Sequence, residues 1–262
     1  MDSSLRTSAS GMVAQQRMID VIANNLANVN TTGFKRSRVN FEDVLYETVQ
    51  GARIVNYRGT ETVGPIQIGK GVRVAAVQRL HQQGSPETTQ RPLDVAIEGE
   101  GFIQVQRPDG SVAYTRDGSL TLSDSGALVT QGGYLVLPGI NIPSDATDVS
   151  ISATGVVSAT SSASSGPVEV GRIELARFLN PNGLSSIGEN QYAETAASSE
   201  PIVGFAQDEG FGRLIQGALE SSNVEMVQEM TDMIAAQRAY EINARAIRTA
   251  EDMMMATNDI IR

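Results

Sequence analysis

Residues 222–262 read SNVEMVQEMTDMIAAQRAYEINARAIRTAEDMMMATNDIIR, and they decide the fold. No proline or glycine interrupts them, so the backbone ladder can run unbroken to the end. Met226, Met230, Met233, Gln237, Tyr240, Ala244, Ile247, Glu251, Met254, Asn258 and Ile261 follow a strict 4-3 spacing. A mean period of about 3.5 belongs to the seam of a coiled coil rather than to a broad globular face. Ser222 and Glu225 stand at capping-box spacing and predict the start of this helix. A helix roughly 60 Å long needs a partner, because burial of its apolar face supplies most of its stability.

The partner is expected at the other end of the chain. Leu5, Ala9, Met12, Gln16, Ile19, Ala23 and Leu26 repeat the 4-3 spacing, which predicts a helix from about Ser4 to Asn28. Asn28-Val29-Asn30-Thr31-Thr32-Gly33 then reads as its terminating turn. Asn24, Asn25, Asn28 and Asn30 compete for backbone groups inside a helix. They imply either fraying or an amide-rich face that bonds a neighbouring chain. The seam's polar members, Gln16, Gln237, Glu251 and Asn258, either fix register or face solvent.

Between the helices the character changes. Arg36 to Tyr46 is a short mixed segment, and Glu47 to Gly71 is glycine-rich and reads as extended and irregular. From Val72 to Leu219 short β-prone runs such as Val95–Ile97, Phe102–Gln106, Tyr134–Leu137 and Val168–Phe178 alternate with glycine turns. That pattern predicts an all-β sandwich or barrel-like domain, with Ser158–Gly166 as an exposed loop. The expected fold is therefore α+β: terminal helices paired as a coiled-coil-like core, an extended linker, and an inserted all-β domain. The boundaries are 1–30 with 221–262 for the helices, 31–71 for the linker, and 72–220 for the β domain.

Composition narrows the function. The 262 residues carry a formal net charge of −10, which disfavours nucleic acid and anionic lipid as partners. The densest basic cluster, Lys35, Arg36 and Arg38, is too short to reverse that. Cysteine is absent, which removes disulfides, thiolate metal sites and cysteine nucleophiles together. No run approaches a membrane span, and no continuous apolar leader opens the chain.

Candidate chemistry is thin. His81 is the only histidine and reads as a surface residue. Asp94 and Glu98 alternate onto one strand face, but a strand rim running into Gly99-Glu100-Gly101 explains them better than a glycosidase pair. No P-loop, nucleophile elbow or zincin pattern is present. No catalytic residue, metal or cofactor is expected, and an enzyme is the least favoured class.

One longer stretch, Ala23-Asn24-Asn25-Leu26-Ala27-Asn28-Val29-Asn30-Thr31-Thr32-Gly33-Phe34-Lys35, resembles the N-terminal signature of the bacterial flagellar rod and hook family. Similar matches to this family are Phe41–Tyr46, Asp94–Phe102, Ala113–Ser119, Ser186–Asn190 and Gln237–Asn243, in order along nearly the whole chain. The middle matches and the length point to the rod rather than to the longer hook. The resemblance implies a structural protein that polymerises helically into a hollow shaft, transmitting torque and serving as an export conduit. It implies export through the flagellar type III apparatus without leader cleavage, and a basal-body location from periplasm to outer membrane. Its implied partners are further copies of itself, proximal rod proteins, the hook protein, the L- and P-ring bushing and the export apparatus. The terminal helices would form the inner core, with Leu5, Ala9, Met12, Ile19, Ala23, Leu26, Met226, Met230, Met233, Tyr240, Ala244, Ile247 and Met254 as assembly positions. Asn24, Asn25, Leu26, Ala27, Asn28, Gly33 and Phe34 carry the family motif. Ile54, Tyr57, Gly64 and Pro65 mark the rod-specific segment. The competing readings are another rod or hook axial protein and, from a different class, a secreted β-domain binding module with a helical anchor.

Overall fold

The computed structural model describes residues 2–50, 53–56, 60–63, 65–161 and 166–260. Helix α1 spans Asp2–Ala27 and helix α2 spans Met226–Ile260, with a β-rich middle between them, so the class is α+β. The chain divides into two compact units. The first comprises Met1–Ala27, Ser37–Gln78 and Glu225–Arg262; the second comprises Asn28–Arg36 and Arg79–Val224.

The first unit holds both helices. They meet where a Cβ placed on Gly11 would lie 3.1 Å from Nδ2 of Asn243, and again at a hydrogen bond between Asn25 and Glu229. Strands Ser37–Asp43 and Val72–Arg79 pair with each other. Between them the chain forms a nested hairpin. Tyr46–Gln50 pairs with Ile66–Gly69, and Arg53–Asn56 pairs with Thr60–Val63, all antiparallel. The described residues of the stretch expected to be irregular are thus largely paired strands, because its isolated β-branched residues find partners across the strand. Tyr46–Gln50 is exposed along its whole length.

The second unit is organised on a nine-stranded antiparallel sheet. Its central strand, Phe102–Gln106, pairs with Val112–Thr115, Leu135–Val136 and Glu174–Arg177. Side chains alternate across a strand, so Ile103 and Val105 enter one core with Leu120, Leu128, Ile173 and Leu175. Phe102 points to the other face, where it packs with Tyr114, Phe178 and Tyr192. Tyr114 and Phe178 meet edge to face at 4.8 Å between ring centroids. A smaller sheet is built from Ala146–Ile151, Val156–Ser161 and Val168–Arg172. The expected loop at Ser158–Gly166 is therefore a strand over its first four residues, with Ala159 buried; residues 162–165 lie outside the described residues.

The capping box does not form. Helix α2 begins at Met226, where the carbonyl of Glu225 accepts the N–H of Glu229. Asn223 holds the preceding residues extended instead. Its amide donates to the carbonyls of Leu80 and Gln82, and its Oδ1 accepts the N–H of Arg36. A side chain tied to three backbone groups outside the helix outweighs a local cap.

Candidate functional site

Two features stand apart from ordinary packing. One is the surface of the helix unit, and the other is a charge node buried in the β unit.

On α2 the inward line passes through Glu229, Ala236, Asn243 and Ala250, a step of seven residues; Glu229, Ala236 and Ala250 are buried. Of the predicted assembly positions, Leu5, Met12, Ile19, Leu26, Met233, Ala244, Ile247 and Met254 are half-buried. Ala9, Ala23, Met226, Met230 and Tyr240 are exposed. The inward line runs one residue N-terminal to the predicted one at Met230, Gln237, Ala244 and Glu251. Small residues such as Gly11 and Ala236 admit a close backbone approach that methionine would block. The polar pair Asn25 and Glu229 anchors that phase.

Asn25 is the informative asparagine. It is buried, donates from Nδ2 to the Ser37 carbonyl (2.8 Å) and to Glu229 Oε2 (3.0 Å), and accepts the Ser37 N–H at 2.9 Å. It thus joins α1, the first strand and α2 within one unit. This residue bonds its own chain, and α1 remains helical through Ala27 without fraying. Asn24 and Ala27 are exposed, while Asn28 accepts the Thr31 hydroxyl in the turn that follows.

On α2 a second apolar face lies away from α1. Val227, Met230 and Ile234 are 80%, 51% and 51% exposed. At 3.6 residues per turn they project opposite to Glu229, Ala236 and Asn243. Elsewhere in the unit, α1 and strand Val72–Arg79 enclose an apolar groove of about 700 Å³ lined by Ala9, Val13, Ala14, Val21, Val74 and Val77. Ile54 lies in strand Arg53–Asn56 and Pro65 is exposed, whereas Tyr57, Gly64 and Ile261 lie outside the described residues.

The node in the β unit contains Lys35, Glu220 and Arg116, which are 0%, 1% and 5% exposed. Lys35 Nζ donates to Glu220 Oε1 at 2.5 Å and to the Gln82 carbonyl at 2.6 Å. Arg116 Nη1 lies 3.1 Å from Glu220 Oε2, and its Nη2 donates to the Gly99 carbonyl at 2.6 Å. The Gly84 N–H completes the carboxylate's contacts at 2.9 Å. Burial pulls Lys35 below the usual lysine range, and the adjacent Glu220 opposes that shift. Lys35, a member of the short basic cluster, is thus spent internally on a carboxylate supplied 185 residues later.

Gly33 makes this arrangement reachable. It adopts φ +67°, and its N–H donates to the Glu220 carbonyl at 2.8 Å. A Cβ there would come within 2.8 Å of the Asp117 backbone nitrogen, so only glycine fits. Phe34 is buried beside it, with the Arg79 guanidinium 5.9 Å from the ring centre.

His81 is also corrected. It is half-buried, edge-on to Phe102 at 5.8 Å and to Tyr192 at 5.5 Å. Burial, reinforced by Lys35, Arg116 and Arg79, lowers its pKa from 6.5 to about 4, so it is neutral at pH 7. Asp94 is buried and accepts the Thr89 hydroxyl at 2.6 Å, while Glu98 pairs with Arg213 at 2.5 Å. These two carboxylates serve separate structural contacts. Among the described residues no group of His, Asp or Glu has metal-ligand geometry, and no helix is long and apolar enough to cross a membrane.

The node was not read as a site in the sequence, and Asn25 was named in the motif without its partners. Lys35 ends that motif and Arg116 lies in the matched stretch Ala113–Ser119, whereas Glu220 carried no signal. Comparison with known proteins gives that motif its context. The family model for the flagella basal body rod protein matches residues 5–35. The flagellar hook protein FlgE/F/G D1 domain matches 96–159, and the flagellar basal body rod FlgEFG protein C-terminal model matches 215–260. The chain is similar to the flagellar basal-body rod protein FlgG of Borreliella burgdorferi, with 48% identity over 264 residues and full coverage of both chains. It is similar to FlgG of Caulobacter vibrioides at 46% over 257 residues, covering 98% of each. The flagellar basal-body rod protein FlgF of the same organism is 37% identical over 256 residues, covering 96% of this chain and 95% of its own.

Proposed function

This chain belongs to the FlgG family of flagellar basal-body rod proteins and is a structural rod subunit, and we propose that it polymerises helically into the hollow distal shaft that carries torque from motor to hook. The observation that carries the reading is the exposed apolar face of α2. One face of the helix, with Glu229, Ala236 and Ala250 buried, meets α1, and the opposite face, at Val227, Met230 and Ile234, stands exposed. A helix buried on one side and both apolar and exposed on the other is suited to lie between its own partner and a neighbour. Contacts that repeat head to tail without closing generate a filament.

In this reading residues 1–30 and 221–262 pair in coiled-coil fashion as the inner core. Residues 31–71 are the rod-specific segment and 72–220 the outer β domain. The half-buried assembly positions, such as Leu26 and Ile247, hold the subunit's own helices together. The exposed ones, such as Met226 and Met230, contact neighbours. Further copies, proximal rod proteins, the hook protein, the surrounding ring bushing and the export apparatus are its partners. Its position runs from the periplasm towards the outer membrane. The protein works by assembly, and no catalytic step is assigned to it.

Electron microscopy of basal bodies from cells lacking this chain tests the proposal. A rod that stops short, without distal shaft or hook, is expected. Intact basal bodies would refute it.

A further inference from the structure

We propose that the groove between α1 and strand Val72–Arg79 receives the outward ridge of α2 from a second copy of this chain. The inference rests on the rod-subunit reading and adds the pair of surfaces and their register.

Three observations select this occupant. The groove and the ridge are both apolar, both exposed, and both part of the helix unit, so every copy carries one of each. A groove and a distinct complementary ridge on one molecule make a heterologous contact, which propagates rather than closes. Next, their lengths agree. The α1 wall of the groove runs from Ala9 to Val21, and the ridge with its next turn runs from Val227 to Arg238. Each covers about 17 Å of helix.

Third, one register satisfies both apolar and charged positions. Laying the helices parallel with Val227 over Ala9 brings Met230 onto Val13, whose side chain stands exposed at the groove. It places Ile234 against Gln16 and the aliphatic stem of Arg17. It brings Arg238 to Asp20, whose carboxylate is exposed and meets Arg17 within its own chain only at 3.8 Å. The spacing of Ala9, Val13, Gln16 and Asp20 matches that of Val227, Met230, Ile234 and Arg238 to within one residue at every position. The antiparallel arrangement lays Arg238 over the apolar end of the groove, where no carboxylate lines the wall.

The natural chain has no cysteine, so single-cysteine variants carry no background. Val13→Cys and Met230→Cys alter exposed positions and leave folding intact. Mixed full-length chains, concentrated until polymer forms and then oxidised, should give a disulfide joining the two different variants. Asp20→Arg and Arg238→Asp should each raise the critical concentration for polymerisation by about five- to tenfold, and the chain carrying both changes should return towards the natural value. Polymer that forms without the mixed disulfide, or charge reversals that do not rescue each other, overturns this pairing and leaves the rod-subunit reading standing. A natural chain that forms no polymer at any concentration overturns the premise and the pairing with it.

Discussion

Replacing Glu220 by glutamine keeps the shape of the side chain and removes the charge on which Lys35 and Arg116 converge. The amide oxygen can still accept from the Gly84 N–H, now 2.9 Å away, and from Lys35. The amide nitrogen, however, replaces the oxygen that sits 3.1 Å from Arg116 Nη1, so donor faces donor. One charge-assisted bond worth about 1.5–3 kcal/mol is lost, and two cations stay inside an almost water-free site. Removing one partner of a buried ion pair typically costs about 3–5 kcal/mol, or two to four decades in the folding equilibrium. Lys35→Met is the informative control, because Glu220 keeps Arg116 and no unpaired cation remains. It should cost less than half as much. Urea unfolding followed by far-ultraviolet circular dichroism and tyrosine fluorescence reads both variants, and the midpoint should move without a change in slope. A loss below about 1 kcal/mol for Glu220→Gln would refute the idea that this carboxylate neutralises the node.

The remaining predictions follow from the same geometry. His81 is held at a pKa of about 4 against 6.5 in the unfolded chain, so between these values only the unfolded chain takes the proton. Stability is full above pH 6.5 and falls by on the order of 3 kcal/mol by pH 4; His81→Gln should flatten that slope in acid titration of the unfolding midpoint. Gly33→Ala forces a side chain into positive φ and onto the Arg116–Asp117 backbone, so it should destabilise the β unit by more than about 2 kcal/mol, read by thermal unfolding. Asn25→Leu strips three hydrogen bonds and leaves the buried Glu229 without that donor, at a cost of about 2–4 kcal/mol; hydrogen exchange should rise in α1 and in the first turns of α2, with the β unit unchanged.

Much was legible in one dimension. The two terminal helices came from their 4-3 spacing and, for the second, an uninterrupted backbone, because a period near 3.5 residues is written into which residues must avoid water. Glycine and asparagine clusters marked the turns, since few residues tolerate the required dihedrals. The β character of the middle followed from short β-prone runs, such as Phe102–Gln106, set between glycine turns. The doubly buried state of that strand did not follow, because the second face is covered by Phe178 and Tyr192 from remote segments.

What the sequence determined by itself is the order of elements, the length and amphipathic character of the helices, and the family, through a motif readable as letters. Only the folded chain shows which residues along those helices turn inward, and that Lys35, Glu220 and Arg116 form one charge system. Both depend on distances between residues far apart in the chain. Helix phase shifts by a residue when Gly11 and Ala236 allow a closer approach, and local periodicity cannot sense that. A lysine reads as solvent-facing until a carboxylate 185 positions away supplies the charge that makes its burial tolerable.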